Sequence, residues 1–225
     1  MRCFAHRGFA ESFPENTLAA VRGAVAAGAD AVEVDVRRCA TGEPVVVHDA
    51  TVDRVTDGQG EIADLPLSTL RSLDVLGSGE GIPTLAEVVE AVPQEVTLNV
   101  ELKASGLAAD VLVIAGAADV LVSSFDAGVL RETAAAGDVP VALLFAADGQ
   151  DSLSAAADLG CAAVHPHHSL CDRAFVERAH QRGFAVNAWT VRSTTTARRL
   201  VRVGVDGLIA DAPGYCALRD SPGSV

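Results

Sequence analysis

The sequence predicts an α/β protein in which helices and parallel strands alternate around a closed barrel, and two patterns predict it. In the second half of the chain, glycines stand at 116, 137, 160, 183 and 204, at intervals of 21, 23, 23 and 21 residues. Each closes an alanine-rich or arginine-bearing stretch of helical character. Each is followed by a short apolar run, at residues 120–122, 141–144, 162–164, 185–189 and 208–209. Glycine is the usual residue just past a helix end because it tolerates positive φ. Short continuous apolar runs suit strands buried on both faces. Many successive units of this kind favour a (β/α)8 barrel of the TIM type over an open doubly wound sheet.

The elements follow in order. A first strand covers residues 3–5 and runs into His6-Arg7-Gly8. Gly28 precedes Ala31-Val32-Glu33-Val34, the same helix–glycine–strand grammar. Further strands are expected at 45–47 and 97–101, which makes nine candidates for eight barrel places. The link between residues 36 and 45 is too short for a helix. Either those strands pair as a hairpin or the barrel is irregular between strands two and three. In both cases Glu33 and Asp35 share one face by period-two alternation, and His48 closes the next strand. Residues 49–83 break the rhythm with Asp57-Gly58-Gln59-Gly60 and Gly77-Ser78-Gly79-Glu80-Gly81. A connection of that length in a compact domain is usually functional, so it is read as an insertion after strand three that caps the barrel mouth. Thr84 and Glu87 form a capping box that restarts a helix. The segment between Lys103 and Asp119 leaves little room for one. One domain is expected over residues 1–217, with 218–225 as a flexible tail, because Arg219, Asp220, Ser221, Pro222 and Gly223 offer nothing to bury.

Composition excludes several functions. A chain of 225 residues that is 49% apolar sustains one sizeable core. Its net charge of −13 argues against nucleic-acid binding through a basic surface. No apolar run reaches the roughly 18 residues of a membrane span, and the N-terminal residues lack the apolar stretch of a secretory signal. Cytoplasmic residence is therefore expected. Cysteines at 3, 39, 161, 171 and 216 are odd in number and lack CxxC spacing, which favours buried thiols over disulfides.

Polar residues collect where predicted strands end. His6 and Arg7 follow strand one, Glu33 and Asp35 lie in strand two, His48 ends strand three, and Glu101 and Lys103 end strand four. Ionisable groups in apolar strands are costly to bury unless paired or bound to metal, and the C-terminal strand ends of an α/β barrel form its active face. Three carboxylates, Glu33, Asp35 and Glu101, repel one another; a hard cation such as Mg²⁺ or Ca²⁺ resolves this with oxygen ligands. Pairing of Glu33 and Asp35 with Arg37 or Arg38 is the structural alternative. His6 and His48 suit acid/base work, because imidazole titrates near neutral pH. Arg7 and Lys103 supply the positive charge that an anionic phosphoryl group needs. Lys103 is the only lysine beside 16 arginines, which points to a place where the planar guanidinium does not fit. Trp189 and Phe125 read either as pocket walls or as ordinary core, and His165 as a strand-end residue facing the site. His167 and His168 read as solvated loop.

Together these residues resemble the glycerophosphodiester phosphodiesterase family. The matching blocks are Ala5-His6-Arg7-Gly8, Pro14-Glu15-Asn16-Thr17, Glu33-Val34-Asp35-Val36, Val46-Val47-His48-Asp49, Asp53-Arg54-Val55-Thr56-Asp57-Gly58-Gln59-Gly60, Ile82-Pro83-Thr84-Leu85, Val100-Glu101-Leu102-Lys103, Ser123-Ser124-Phe125, Ala188-Trp189-Thr190-Val191 and Gly204-Val205-Asp206-Gly207. The resemblance implies a TIM-type barrel with an insertion after strand three, and Glu33, Asp35 and Glu101 as ligands of Mg²⁺ or Ca²⁺. It also implies His6 and His48 as acid and base, and Arg7 and Lys103 on phosphate. The implied substrates are small glycerophosphodiesters, split into glycerol 3-phosphate and an alcohol, without nucleic acid or stable membrane insertion. Ala210-Asp211 departs from the family's usual threonine–aspartate and is expected to lie outside the chemical cluster. A phospholipase of the phosphatidylinositol type needs a membrane-binding surface this acidic chain lacks. A two-carboxylate glycosidase leaves both histidines, Arg7 and Lys103 without a task. A non-catalytic binding protein usually follows loss of a catalytic residue, and none is missing.

Overall fold

Alternating strands and helices close on themselves in the computed structural model, which describes residues 1–217. The barrel strands are β1 (Arg2–His6), β2 (Ala31–Arg38), β4 (Thr97–Leu102), β5 (Val120–Ser124), β6 (Val141–Phe145), β7 (Ala163–Pro166), β8 (Ala185–Val191) and β9 (Gly207–Ala210). They are parallel in the order β1-β9-β8-β7-β6-β5-β4-β2, and β1 pairs with β2 to close the ring. The ninth strand, β3 (Pro44–Val46), pairs antiparallel with β2, Val36 opposite Val46. The hairpin alternative is the one realised, and the barrel stays eight-stranded.

Outer faces of the strands carry apolar side chains such as Val32, Val34, Leu98, Val100 and Val122 into the main core beneath the helices. These are α1 (Leu18–Ala26), α3 (Leu85–Ala91), α4 (Ala108–Ala115), α5 (Ala127–Ala136), α6 (Gly149–Asp158), α7 (Arg173–Gln181), α8 (Thr194–Val203) and α9 (Pro213–Cys216). By alternation the opposite faces point into the barrel, where Phe4, Ala31, Leu121, Ala142, Ala163 and Ile209 form a smaller cluster. The capping box at α3 is formed, with Thr84 and Glu87 satisfying each other's backbone N–H groups. The segment expected to lack a helix folds as α4, whose eight residues fit because Gly116 turns the chain at once with φ 55°. Gly160, Gly183 and Gly204 likewise hold positive φ at helix ends; Gly137 instead leaves α5 extended.

The insertion builds its own cluster, Val52, Val55, Ile62, Leu70, Val75 and Ile82 packed on Val45 and Val47, with α2 (Leu67–Ser72) as its longest helix. The expectation of five free thiols is corrected: Cys3 and Cys216 form a disulfide, while Cys39, Cys161 and Cys171 are free and buried. The paired cysteines are 213 residues apart; only barrel closure, which lays α9 against β1, brings them together. The expected tail, 218–225, lies outside the described residues. Among the described residues no helix is long and apolar enough to cross a membrane.

Candidate active site

A cavity of about 620 Å³ opens at the C-terminal ends of the strands. His6, Arg7, Glu33, His48, Glu101 and Lys103 line one side of it. Backbone geometry sets the first of these. Arg7, Gly8 and Phe9 all hold positive φ, at 51°, 78° and 67°, a conformation non-glycine residues hold only when surrounding structure enforces it. At Gly8 no side chain is possible, because a Cβ there would lie 2.6 Å from the Ala20 Cβ. The turn therefore packs directly on α1, and the Arg7 backbone N–H donates to Glu33 Oε2 at 2.9 Å. The Pro14-Glu15-Asn16-Thr17 block has a physical task too. Thr17 caps α1, Asn16 (φ 60°) donates to Asp35 Oδ2 at 2.9 Å, and Glu15 accepts from Arg7 at 2.9 Å.

Register brings the carboxylates together. His6 stands beside Glu33 across β1 and β2, and Asp35 beside Glu101 across β2 and β4. One oxygen from each of Glu33, Asp35 and Glu101 lies within 4.8 Å of the others, and all three residues are buried. The alternative pairing with Arg37 or Arg38 is not adopted: Arg37 bonds the His48 carbonyl, and Arg38 reaches Asp110 and loop carbonyls. Positive charge comes instead from Arg7, 3.1 Å from Asp35, and from Lys103, 2.8 Å from Asp35 and bonded to Glu101. Burial drives the Glu33 carboxyl well above the ordinary range, and repulsion from Asp35 and Glu101 adds to it. Burial and then Asp35 push Glu101 up to about 7, against the pull of Lys103. Asp35 goes the other way: burial opposes its charge, but Lys103 and Arg7 together hold it ionised well below the usual range.

These residues fit a hard divalent cation on the structure's own terms. Glu33 Oε1 is buried without a hydrogen-bond partner, and Glu33 and Glu101 are held toward the proton-bound form by burial, with repulsion from neighbouring carboxylates adding to it. A bound cation satisfies the orphaned oxygen and removes the repulsion.

Both histidines are held through Nδ1, which leaves Nε2 for the cavity. His6 Nδ1 lies 2.5 Å from Asp211 Oδ1, and His48 Nδ1 lies 2.6 Å from Asp49 Oδ1. Burial lowers the His48 pKa, with Asp35 opposing. The expectation that Asp211 lies outside the cluster is thus corrected. Closure of β9 on β1 puts it against His6, and Arg192 holds its second oxygen at 2.5 Å. Sequence reasoning also missed Glu15, Asn16 and Asp49, although all three sit in or beside the matched blocks. A short polar side chain next to a candidate histidine, as in His48-Asp49, was the available signal.

The far wall differs. Phe125, half exposed, meets Trp189 edge to face at 5.3 Å between ring centres, and Trp189 anchors its indole N–H on the His165 carbonyl at 2.7 Å. His165 is corrected: it does not line the cavity but lies in the barrel interior, its ring bonded to Asn187 at 3.0 Å and edge-on to Phe4. Burial lowers its pKa to about 3. His167 and His168, read as solvated loop, do line the cavity, because His167 bridges to Trp189 just past β7.

Comparison with known proteins gives a consistent result. The model of the glycerophosphoryl diester phosphodiesterase family matches residues 6–113 and 105–215. A glycerophosphodiester phosphodiesterase of Caldanaerobacter subterraneus is 32% identical over 231 aligned residues, covering 93% of each chain. An Oleispira antarctica phosphodiesterase, solved with its product sn-glycerol-3-phosphate, superimposes with a TM-score of 0.90 at 31% identity over 98% of this chain and 97% of that one. The Thermotoga maritima glycerophosphodiester phosphodiesterase gives 0.85 at 27% identity, over 96% and 97%.

Proposed function

We propose a mechanism from one premise: the chain belongs to the glycerophosphoryl diester phosphodiesterase family and is a glycerophosphodiester phosphodiesterase. The observation that carries the mechanism is the convergence of three buried carboxylates, two cations and two carboxylate-held histidines on one cavity. Glu33, Asp35 and Glu101 would hold Mg²⁺ or Ca²⁺. When bound, such an ion lowers the pKa of a coordinated hydroxyl and neutralises phosphoryl charge.

The chain's own residues do the rest. Arg7 and Lys103 bind non-bridging phosphoryl oxygens and stabilise the charge that builds there. His48, whose pKa burial lowers, takes the proton of the attacking hydroxyl at Nε2. His6 delivers a proton to the departing alkoxide from the other side. A P–O bond to the nucleophile forms as the P–O bond to the alcohol breaks, and the alcohol leaves neutral. If water is the nucleophile, glycerol 3-phosphate is formed directly; if the glycerol 2-hydroxyl attacks, a cyclic phosphodiester is formed first, and water then adds at phosphorus as the bond to the 2-oxygen breaks, giving glycerol 3-phosphate. Phe125 and Trp189 give the carbon skeleton of the substrate an apolar wall.

A small soluble diester suits this surface better than a bilayer lipid. Among the described residues the exposed large apolar ones are Met1, Leu76, Val113 and Phe125, four residues from four separate segments, few for a membrane-binding patch. Cytoplasmic residence stays part of the proposal, tested by cell fractionation, and the Cys3–Cys216 disulfide is the observation that weighs against it. The test of function is hydrolysis of glycerophosphocholine, glycerophosphoethanolamine and glycerophosphoglycerol after chelation and re-addition of Mg²⁺, Ca²⁺ or Mn²⁺. Turnover restored by one of these ions is expected; full turnover in the chelated protein would remove the metal from the mechanism.

A further inference from the structure

We propose that Arg54, carried by the inserted segment, is a positioning residue that holds the phosphate-binding arginine and one proton-transferring histidine in register. This rests on the roles given above to Arg7 and His48.

The guanidinium uses both of its edges. NH1 and NH2 donate to the two oxygens of Glu15, at 2.9 and 2.8 Å, as a parallel fork, and Nε donates to Asp49 Oδ2 at 2.5 Å. Each carboxylate has a second partner at the cavity. Glu15 Oε1 also accepts from Arg7 NH1 at 2.9 Å, and Asp49 Oδ1 binds His48 Nδ1 at 2.6 Å. Arg54 is therefore one carboxylate away from Arg7 and one carboxylate away from His48, while it does not itself line the cavity. The three groups come from three places: Arg7 from the turn after β1, His48 from the end of the β3 hairpin, and Arg54 from the insertion.

The insertion is built to present this residue. Val52 and Val55, on either side of Arg54, are buried in the insertion's own cluster. Asp53 accepts from the Gly60 N–H at 2.9 Å, and Thr56 bonds the Val52 carbonyl at 2.9 Å. The Asp53-Arg54-Val55-Thr56-Asp57-Gly58-Gln59-Gly60 block, for which the catalytic scheme has no use, thus fixes the backbone of a half-exposed arginine. Exposed ion pairs contribute little to stability, so the reason for this one lies in geometry. Five donors in a rigid fork satisfy two carboxylates at once, which a single ammonium does not.

The experiment is steady-state hydrolysis of a glycerophosphodiester in saturating metal, with melting temperatures, for Arg54→Ala, Arg54→Lys, Glu15→Gln, Asp49→Asn and the control Leu153→Ala, buried in α6 away from the insertion. Arg54→Ala is expected to lose about 10- to 100-fold in kcat/KM, the range typical of residues that orient a catalytic group, and Arg54→Lys to recover little. Adding Arg54→Ala to the Glu15→Gln, Asp49→Asn double variant should cost nothing further. Leu153→Ala should lower the melting temperature and leave kcat/KM of the folded enzyme unchanged. If Arg54→Ala does not fold, the charge-keeping Arg54→Lys carries the comparison. Wild-type kcat/KM in the folded Arg54 variants, or a loss in Leu153→Ala as large as theirs, overturns the inference alone. A wild-type chain that turns over no glycerophosphodiester overturns the function it rests on as well.

Discussion

The two walls of the cavity are built on opposite principles. The wall from β1, β2, the β3 hairpin and β4 is made of charge: Glu33, Asp35 and Glu101 against Arg7 and Lys103, buried so that each group shifts its neighbour. The wall from β5 through β8 is made of shape: Phe125, Leu144, His167 and Trp189, with the neutral, buried His165 behind it. In the proposed mechanism, reaction and ion belong to the first wall and the substrate's carbon skeleton to the second. Changes to the first should therefore appear in kcat, and changes to the second in KM.

The largest expected contrast is between histidines. His48→Ala should lower kcat by about 10²–10⁴-fold, the usual scale of general acid/base catalysis, whereas His168→Ala on the other wall should leave kcat within a few-fold. Single-turnover kinetics of both variants checks this; comparable losses in kcat would erase the division of labour.

Next comes Lys103. If it acts mainly as charge develops, Lys103→Ala should lose roughly 2.7–4 kcal/mol of transition-state stabilisation, with kcat and kcat/KM falling together. Lys103→Arg should rescue little. The ammonium is also the partner of two buried carboxylates, so without metal the same variant should melt lower, because removing one member of a buried pair strands the other. Melting curves with chelator and with Mg²⁺ separate the two roles; equal melting temperatures for variant and wild type in chelator would deny the structural one.

Glu101 on the first wall and His165 behind the second should also differ in the sign of their pH dependence. Glu101 has its pKa raised from 4.5 to about 7 in the folded, metal-free protein. Its stabilising share is complete below pH 4.5 and is lost as pH rises toward 7, since over that window the folded state holds a proton the unfolded state has released. Metal binding should abolish this loss. His165 behaves oppositely: its pKa falls from 6.5 to about 3, so its share is present above pH 6.5 and is lost as pH falls toward 3. Melting temperature against pH, with and without chelator, should show an upper limb that metal removes and a lower limb that His165→Asn makes shallower, the rest of it belonging to carboxylates held below their usual range, such as Asp35. A lower limb unchanged in His165→Asn would show that other groups set it.

The smallest effect belongs to the aromatic pair. Trp189→Ala removes an edge-to-face contact worth about 1 kcal/mol and should raise KM several-fold with kcat nearly kept. A fall in kcat instead would mean that the second wall also positions the reacting groups.

Periodicity alone placed nearly every strand of this barrel, because a parallel strand covered on both faces must be a short apolar run and a helix turning back to the sheet ends well on glycine. The charged wall was legible for a related reason: Glu33, Asp35, Glu101 and Lys103 break apolar strands, and such breaks are too costly to be idle. What the order of residues did not contain is whatever depends on closure. Asp211 meets His6 across 205 positions, and Cys3 meets Cys216 across 213, because β9 returns to β1 only when the ring shuts. His165 and His167 differ by two positions at the end of one strand, yet one is barrel interior and the other cavity wall; the height at which each enters the barrel decides between them. Local pattern sets which side chains face inward. Only the closed tertiary structure determines which of them meet.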